Sequence, residues 1–474
     1  MGSPSQSNRE SEDKALIGAP VSTGYRSISD AFRWAILLVS FLHSIVPANL
    51  LHLSLLVKQL SVSSFFSGRG TAEQALQSLQ AACLRAGFGG SFDFVSVCDS
   101  GRNNLCILKQ QVSSKCCVWN DILKLSPVAS AIFKAASAVG ELDFWPTWEQ
   151  IRSAGLLESA PGCWQHPTQG SCACPTSMLD ISGSPCNQWS KAGKCLGERS
   201  PLMVLLMVWC LWVLTMKPLV LIHENVVGFD VTILCQLLGG LYDCRILTVS
   251  PKDSGFSFVT RTRLYMVFFF RGKVTAVADI QEVYQEVSRR FQSLGLLRLE
   301  DCFIASEEEL AEEFQKVRTL RERDGICHEE TQLQGSGWMD LLTQKQQQRL
   351  QELSEMWKQK HGIQPHLCKH CVLNLGHNPV CRQMTGGDGR MPTITTNCKL
   401  WWVPYLRRWL LPSELAVMMG FPTSRSLAEA AGLQCHPMSF SSSQVGKAMH
   451  LANVGCVAGV ALACLRESPS YTAA

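Results

Sequence analysis

Short apolar runs that end at a small or polar residue recur along the chain and predict the strands of a buried sheet. Such runs lead into Gly68, Asp99, Asp121, Gly183 and Glu224. Strands that are covered on both faces read as nearly continuous apolar segments, because they bury both sets of side chains. Longer segments between these runs carry helical spacing. The pattern therefore predicts an α/β fold in which helices connect the strands of a mostly parallel sheet.

Residues 276–360 have the period of amphipathic helices. Four apolar residues form the stripe of a first helix: Ile280, Val283, Val287 and Phe291. Ser306 and Glu309 form a capping box that opens a second helix. A third helix, rich in glutamine and lysine, is predicted at about 338–360. The charged positions of these helices are most simply interpreted as solvated faces.

Two apolar segments approach the length of a membrane span. Residues 34–57 are interrupted by histidine, proline and asparagine, and residues 202–216 give only 15 residues before a lysine. A transmembrane helix needs about 20 consecutive apolar residues. Both segments are therefore predicted to be helices of a folded domain, and no membrane partner is expected. The charged, Ser-rich residues 1–33 lack periodicity and are predicted to be a disordered leader.

Length and composition set broad limits on the kind of protein. A chain of 474 residues accommodates two or three domains, or one large α/β domain with insertions. The net charge of +4 is too small to indicate a nucleic-acid partner by itself, so a polyanion site requires local clustering. The 22 cysteines are scattered rather than arranged as a secreted disulfide framework, which favours a reducing compartment.

The segment at 183–190, which reads GSPCNQWS, contains the candidate nucleophile, Cys186. A thiolate is the most nucleophilic side chain near neutral pH, and Pro185 fixes the turn that exposes it at the end of a strand. Because most cysteines in a chain with 22 of them are expected to be inert, this position alone does not identify a catalytic residue.

Other polar groups follow apolar strands further along the chain. Glu224 comes after an apolar strand at 218–222 and is suited to acid chemistry, whereas the alternative is a structural acid on a loop. Arg261 and Arg263 lie two residues apart. Such residues point to the same side of an extended chain, so both guanidinium groups can reach one polar site, unless they line a solvated edge.

A turn that contains Gly68 and Gly70 joins a predicted strand to a predicted helix. Glycine lets the backbone approach a ligand closely, and a helix N-terminus favours polar or anionic groups. Asp99 ends the next strand, where dinucleotide folds bind ribose hydroxyls, although a helix N-cap fits the sequence equally well. Asp121 is another acidic residue at a strand end.

The order of GSPC at 183–186, ENV at 224–226 and RTR at 261–263 before an apolar strand resembles the cytosine-5 DNA methyltransferase family, over residues 60–457. The resemblance implies a Rossmann-like class I methyltransferase with a mostly parallel central sheet and a smaller, partly helical target-recognition region. It also implies S-adenosylmethionine as the cofactor. The implied cofactor-binding residues are Phe66, Ser67, Gly68, Gly70, Asp99, Asp121, Ile122, Pro185 and Lys447. The implied catalytic residues are Cys186, Glu224, Arg261 and Arg263.

The same resemblance implies a division of the chain into regions. They are a leader at 1–58 that ends in an apolar helix, a catalytic core at 59–270 with an insertion at about 127–176, a target-recognition region at 271–409, a closing segment at 410–460 that completes the core, and a tail at 461–474. The chain departs from the family pattern at Ser184, Asn187, Val259 and Lys447.

The reaction implied by the resemblance is methylation of carbon 5 of cytosine in DNA. Cys186 would add to carbon 6 of the ring, Glu224 would contact or protonate N3, and the arginines would hold the base carbonyl and a nearby phosphate. The base must first be flipped out of its duplex. Two alternatives are tRNA as the substrate and a nucleic-acid-binding homologue that has lost turnover. No small-molecule substrate other than the methyl donor is implied, and a nuclear or other intracellular location is expected.

Two groups of cysteine and histidine residues contain zinc-competent ligands. The first group is Cys163, His166, Cys172 and Cys174, and the second is His366, Cys368, His370 and Cys371, with Cys381 and Cys398 further on. Neither spacing matches a standard zinc finger. Unliganded thiols are therefore favoured, and no metal is predicted.

A basic and aromatic segment near residue 400 is the candidate nucleic-acid face. Its members are Arg382, Arg390, Lys399, Arg407 and Arg408, interleaved with Trp401, Trp402 and Trp409. Positive charge follows a phosphate backbone, and tryptophan rings stack on bases. A tryptophan-rich core with basic edges would give the same sequence pattern.

Overall fold

The structure of the protein is a computed structural model that describes residues 24–190, 193, 195–325, 337–376, 383–396, 400–434 and 440–469. Residues 1–23 of the predicted leader and 470–474 of the predicted tail lie outside this range, as do Cys381, Arg382, Cys398 and Lys399.

The strands and helices are bounded as follows. The strands are β1 Gln59–Phe65, β2 Ser91–Cys98, β3 Cys117–Trp119, β4 Ser159–Pro161, β5 Ser171–Ala173, β6 Leu179–Ser182, β7 Val220–Val226, β8 Tyr242–Val249, β9 Arg263–Phe270, β10 Val274–Ala276, β11 Leu373–Asn374, β12 Trp401–Val403, β13 Arg408–Trp409 and β14 Leu465–Glu467. The α-helices are α1 Ile28–Phe32, α2 Trp34–Ile45, α3 Ala48–Leu51, α4 Thr71–Arg85, α5 Arg102–Gln111, α6 Pro127–Val139, α7 Phe144–Ala154, α8 Met203–Met216, α9 Val231–Leu238, α10 Ile280–Ser293, α11 Glu307–Arg323, α12 Gly337–Asp340, α13 Gln344–His361, α14 Pro412–Met418, α15 Arg425–Ala430, α16 Ser442–Lys447 and α17 Leu451–Cys464. Short 3-10 helices span Leu55–Val57, Ile122–Leu125, Pro167–Gln169, Gly197–Arg199, Pro251–Ser254, Leu299–Cys302 and Pro365–Leu367.

A seven-stranded sheet in the order β3-β2-β1-β6-β7-β9-β8 organises the molecule. All neighbouring strands are parallel except β9, which runs antiparallel to β7 and β8. The strand order reverses between β1 and β6, and open α/β sheets bind ligands at the carboxyl ends of the strands beside such a reversal. The predicted α/β fold with a mostly parallel central sheet is confirmed.

Helices cover both faces of the sheet. One face is buried by α2, α4, α10 and α17, and the other by α8 and α9 together with the insertion at 127–176. The predicted helix at 202–216 is α8, which is buried and leads into β7, as expected.

The apolar segment assigned to the leader packs into the core on one face of the central sheet. Helix α2 is almost entirely buried, and it packs against α4 and α17. The leader boundary at residue 58 therefore separates elements that share one core. In the described part of the chain, one segment, Ser442–Cys464, is long and apolar enough to cross a membrane, and 94% of its apolar window is buried inside the fold.

Helices α2 and α17 approach each other closely because α17 has glycine at the contact. A Cβ at Gly455 would lie 2.0 Å from the ring of Trp34, which is fully buried. A Cβ at Gly459 would lie 2.6 Å from Leu38. These separations are far below van der Waals contact, so neither position has space for a side chain.

Substitution Gly455→Ala is expected to destabilise the protein by about 1–3 kcal/mol, because the tryptophan must shift within a packed core. This loss exceeds the gain of up to about 1 kcal/mol that alanine usually brings to a helix. Thermal unfolding measures the change. Gly240→Ala is the control, since a Cβ there meets no atom within 4 Å, and an equal effect of both substitutions would contradict the close contact.

Part of the region predicted for target recognition has its own hydrophobic core, formed by α11, α13 and the small sheet β11-β12-β13. The stripe of α10 is buried and the Ser306 capping box opens α11, as predicted. The third predicted helix is instead divided into α12 and α13, because Thr343 caps a new helix with Gln346. The helices predicted at 276–360 are therefore confirmed, except that the third is divided in two.

The tryptophans of the candidate nucleic-acid face are buried in two cores: Trp402 and Trp409 lie in the core just described, and Trp401 lies in the core that covers one face of the central sheet. Trp401, Trp402 and Trp409 are all buried, and Trp409 contacts Trp338 edge to face. Bases stack only on exposed rings, so the prediction of a stacking surface is wrong and the alternative of a tryptophan-rich core is confirmed. Arg408 is also buried, and its guanidinium group forms a bidentate ion pair with the carboxylate of Glu414, with both nitrogen–oxygen distances at 2.8 Å.

Candidate active site

The GSPC turn follows β6 directly and is held against β7 by a buried polar network. Asn225 donates from Nδ2 to the hydroxyl of Ser184 at 3.1 Å, and that hydroxyl lies 3.1 Å from Nε2 of His223. Because the hydroxyl already accepts from Asn225, it is free to donate to His223. Burial lowers the pKa of His223 to about 3, so the ring is neutral and suited to accept. The sequence departure at Ser184 therefore contributes to fixing the turn.

Glu224 lies on β7 beside this turn. Its Oε1 is 3.2 Å from Nε of Arg263, and both side chains are largely buried. A Cβ at Gly183 would lie 3.3 Å from Oε2 of Glu224 and 3.3 Å from Sδ of Met449. Glycine at this position thus lets the carboxylate lie close to the backbone that precedes Cys186. Burial raises the pKa of Glu224, while the charges of Arg263 and Arg261 lower it.

The two arginines, which the sequence predicted to reach one polar site, have different direct partners. Arg263 pairs with Glu224, whereas Arg261 donates from its terminal nitrogens to the backbone oxygens of Ile394, Gly446 and Ala448. Burial, together with the charge of Arg263, lowers the pKa of Arg261 to about 9. Arg261 is therefore positioned to anchor the segment before α17 to the site.

Burial dominates the ionisation of Cys186 and raises the pKa of its thiol. The negative charge of Glu224 raises the pKa as well, and Arg263 and Arg261 lower it in part. The four predicted catalytic side chains therefore form one group whose charges act on one another. These effects also show that the thiol form is favoured while Glu224 carries its charge.

The predicted cofactor loop lies at the carboxyl end of β1. Phe66, Gly68 and Gly70 all have positive φ, between 58° and 77°, and Gly70 caps α4. A Cβ at Gly68 would meet no atom within 4 Å, so open space adjoins the backbone there. Arg69 is buried between the two glycines, and its guanidinium lies 4.8 Å from the ring centre of Phe440. Ser67 is buried beneath the loop.

Asp99 joins the cofactor loop to the next strand end. Its carboxylate accepts from the backbone of Gly68 at 2.9 Å and of Gly101 at 2.8 Å, and from the amide of Asn104 at 2.8 Å. A carboxylate has roughly four acceptor positions, so these bonds leave capacity for a further donor. Asp121 caps a 3-10 helix through the backbone of Leu123, which fits a structural role for that carboxylate.

Ile122, Pro185 and Lys447 differ in exposure. Ile122 is buried, Pro185 is partly buried in the turn, and Lys447 is exposed at the end of α16. The backbone around Lys447, rather than its side chain, reaches the site, because Gly446 and Ala448 accept hydrogen bonds from Arg261.

Two buried acids near the strand ends were not identified from the sequence. Glu73 is fully buried in the first turn of α4 and accepts from Ser64, and burial raises its pKa to about 7. Asp180 on β6 accepts from Ser63, Ser182 and Trp209, and burial raises its pKa to about 6. The only sequence signal for these buried acids is an acidic residue inside an otherwise apolar or small-residue segment. The same pattern is found where an acidic side chain is solvated in a helix turn or at a strand edge.

Comparison with known proteins gives a family assignment. A family model described as C-5 cytosine-specific DNA methylase matches residues 177–435. The comparison with curated proteins found no match to this chain. Similar solved structures include a DNA modification methyltransferase encoded within an E. coli prophage (13% identity, TM-score 0.43), the S. pombe Dnmt2 methyltransferase (13% identity, TM-score 0.38) and the Entamoeba histolytica methyltransferase EhMeth (11% identity, TM-score 0.40). Each alignment covers 85% of this chain and 98% of the other. Since the family model spans more than half of the chain and includes the segments of Cys186, Glu224 and the two arginines, the chain belongs to the C-5 cytosine-specific DNA methylase family and is a cytosine methyltransferase.

Proposed function

We propose that the protein transfers a methyl group from S-adenosylmethionine to carbon 5 of cytosine in DNA, through a covalent adduct between Cys186 and carbon 6. The observation that carries the proposal is the electrostatic group formed by Cys186, Glu224 and Arg263 at adjoining strand ends. A nucleophilic thiol beside a carboxyl group of raised pKa is suited to attack a ring carbon while a ring nitrogen is protonated.

The residues at the carboxyl end of β1 and β2 fit the cofactor. Open space beside Gly68 admits a ligand against the backbone, and the carboxylate of Asp99 retains capacity to accept from ribose hydroxyls. When bound there, S-adenosylmethionine supplies the electrophilic methyl group that carbon 5 accepts. Phe66, Ser67, Gly68, Gly70 and Asp99 would hold it.

The chain's own residues then carry the chemistry at the base. The Cys186 sulfur forms a bond to carbon 6 with its own electron pair, the ring π electrons move to the C4–C5 bond, and N3 takes a proton from Glu224. After methylation, loss of the proton from carbon 5 to solvent and departure of the Cys186 thiolate restore the ring. The N3 proton returns to Glu224. The net change is one methyl group gained and one proton released.

Glu224 and Cys186 must exchange their protonation states before attack. In the free protein, the charged carboxylate raises the pKa of the thiol. A proton that moves from Cys186 to Glu224 generates the nucleophile and the acid in one step, and it removes the negative charge that opposes the thiolate. The raised pKa of Glu224 makes this exchange less costly.

A pH profile tests this coupling. With Glu224→Gln, alkylation of Cys186 by iodoacetamide is expected to shift to lower pH by up to about one unit, because a charge that raises the thiol pKa is lost. With Arg263→Gln, the profile is expected to shift to higher pH, because a charge that lowers the thiol pKa is lost. Peptide mass spectrometry distinguishes Cys186 from the exposed Cys106, Cys195 and Cys235. Shifts in the same direction for both variants would contradict the electrostatic group.

The choice of DNA over tRNA rests on the family match and is tested by product analysis. The purified protein is incubated with labelled S-adenosylmethionine and with duplex DNA, single-stranded DNA or tRNA, and the nucleosides are then separated. We expect 5-methyldeoxycytidine from DNA. Activity on duplex DNA supports flipping of the base, since a stacked cytosine cannot reach a partly buried thiol and a buried carboxyl group. Label in 5-methylcytidine alone would make tRNA the substrate, and cofactor binding without label would indicate a homologue that has lost turnover.

A further inference from the structure

Four side chains of the insertion and the adjoining sheet edge bring their ligand atoms together. The thiols of Cys117, Cys163 and Cys172 and the ring nitrogen Nδ1 of His166 all lie within 4.8 Å of one another. Nδ1 is 3.4 Å from the sulfur of Cys163, 3.7 Å from that of Cys172 and 3.8 Å from that of Cys117. One nitrogen thus faces three sulfur atoms at nearly equal distances.

The three nitrogen–sulfur separations match those of a tetrahedral metal site. Zinc binds thiolate sulfur at about 2.3 Å and imidazole nitrogen at about 2.0–2.1 Å, which places neighbouring ligand atoms of a tetrahedron roughly 3.5–3.8 Å apart. A disulfide would use two of the sulfur atoms and would give the histidine no reason to face all three. The three cysteines are free thiols in the structure.

The histidine is also oriented as a metal ligand. Its other ring nitrogen, Nε2, lies 2.9 Å from the backbone oxygen of Ser114, which only accepts hydrogen bonds. Nε2 therefore carries the proton, and the lone pair of Nδ1 points at the three thiols. Zinc-binding histidines commonly donate their second ring nitrogen to a carbonyl in this way.

The structure assigns a ligand set that differs from the one considered in the sequence. Cys117, from β3, replaces Cys174, whose sulfur lies 3.8 Å from the backbone oxygen of Leu157 instead. The second sequence group, around Cys368, does not gather its described ligand atoms into a comparable cluster. Cys117 is far from the other three ligands in the sequence, so the sequence pattern did not reveal this ligand set.

We propose that Cys117, Cys163, His166 and Cys172 bind a structural zinc ion that fastens the insertion to the edge of the central sheet. Strand β3 is the edge strand. The insertion reaches it through a bridge between Trp119 and Cys163 and a 2.8 Å bond from the amide of Trp164 to the oxygen of Val118. A metal crosslink at that point would add to these contacts and to the packing of the insertion on the face of the sheet. All four protein ligands are supplied by the chain, so the site is closed and serves no catalytic step.

The zinc content of the protein purified under reducing conditions tests the proposal. We expect one zinc ion per chain in the wild type and loss of nearly all of it in Cys117→Ser and in Cys172→Ser. Cys174→Ser is the matched control and should retain the wild-type amount. Chelation of the metal should lower the unfolding temperature of the wild type. Equal zinc loss in the control would overturn the proposal, as would a wild-type protein that contains no zinc and does not bind added cobalt.

A second variant keeps the test decisive if the serine variants fail to fold. His166→Cys offers four thiolates and is expected to retain zinc. Replacement of zinc by cobalt should then give a stronger thiolate charge-transfer absorption in this variant than in the wild type, because one nitrogen ligand has become sulfur. Unchanged cobalt spectra would exclude His166 as a ligand. A Cys163–Cys172 disulfide in the wild type as purified under reducing conditions would also overturn the assignment.

Discussion

Substitution Cys186→Ser is expected to lower methyl transfer to cytosine by at least about a thousandfold, which corresponds to a barrier higher by about 4 kcal/mol. Serine has nearly the same size, but its hydroxyl is a far weaker nucleophile than a thiolate. Cys186 is only partly buried in a turn that Ser184, His223 and Asn225 hold in place. The variant should therefore keep the wild-type unfolding temperature.

The control for this substitution is Cys195→Ser, in the same loop. The thiol of Cys195 is exposed and donates to the backbone oxygen of Ser190. We expect this variant to retain activity. DNA that contains 5-fluorocytosine should trap the wild type covalently in the presence of the cofactor, because fluorine cannot leave as a cation, and Cys186→Ser should give no trapped complex. Trapping by the serine variant, or activity within tenfold of the wild type, would exclude Cys186 as the nucleophile.

Substitution Glu414→Ala is expected to destabilise the protein by about 3–5 kcal/mol, the typical result of leaving one charge of a buried ion pair without its partner. Glu414 is fully buried and accepts two hydrogen bonds from Arg408 at 2.8 Å. It also accepts from the backbone of Leu411, where it caps α14. Its removal therefore leaves a buried guanidinium and an uncapped helix together.

Denaturant unfolding measures this change, with Glu429→Ala as the matched control. Glu429 pairs with Arg425 in the next helix, but that pair is exposed, and exposed pairs contribute about 0–1 kcal/mol. The double substitution Arg408→Met with Glu414→Leu should recover most of the lost stability, because no buried charge remains. A double variant as unstable as Glu414→Ala would show that the charge pair is not the cause.

Residues at strand ends were predictable from the sequence because geometry alone brings them together. Parallel strands align their carboxyl ends, so Asp99, Cys186 and Glu224 share one edge as soon as each is assigned to the end of an apolar run. The glycines of the cofactor loop were identified in the same way, since positive φ at Gly68 and Gly70 is a local property. These inferences needed only the order and period of the chain.

Contacts between distant segments were not predictable. Arg261 and Arg263 look equivalent in sequence, yet Arg261 is bonded to carbonyl groups from residues 394–448, which no local pattern links to it. The tryptophans near residue 400 have the same spacing whether their rings face bases or a core, and the burial of Trp402 and Trp409 depends on the distant helices α11 and α13. Cys117 was missed for the same reason.

The packing of α17 against α2 and α4 has a consequence for synthesis of the protein. Strand β1 and these two helices leave the ribosome early, whereas α17, which covers them, is translated after almost all other described elements. An apolar surface of the nascent chain therefore stays uncovered while the residues between α4 and α17 are translated, when unprotected surfaces favour aggregation. Holdase chaperones that bind the nascent chain until α17 emerges should accordingly raise the yield of active enzyme in a heterologous host.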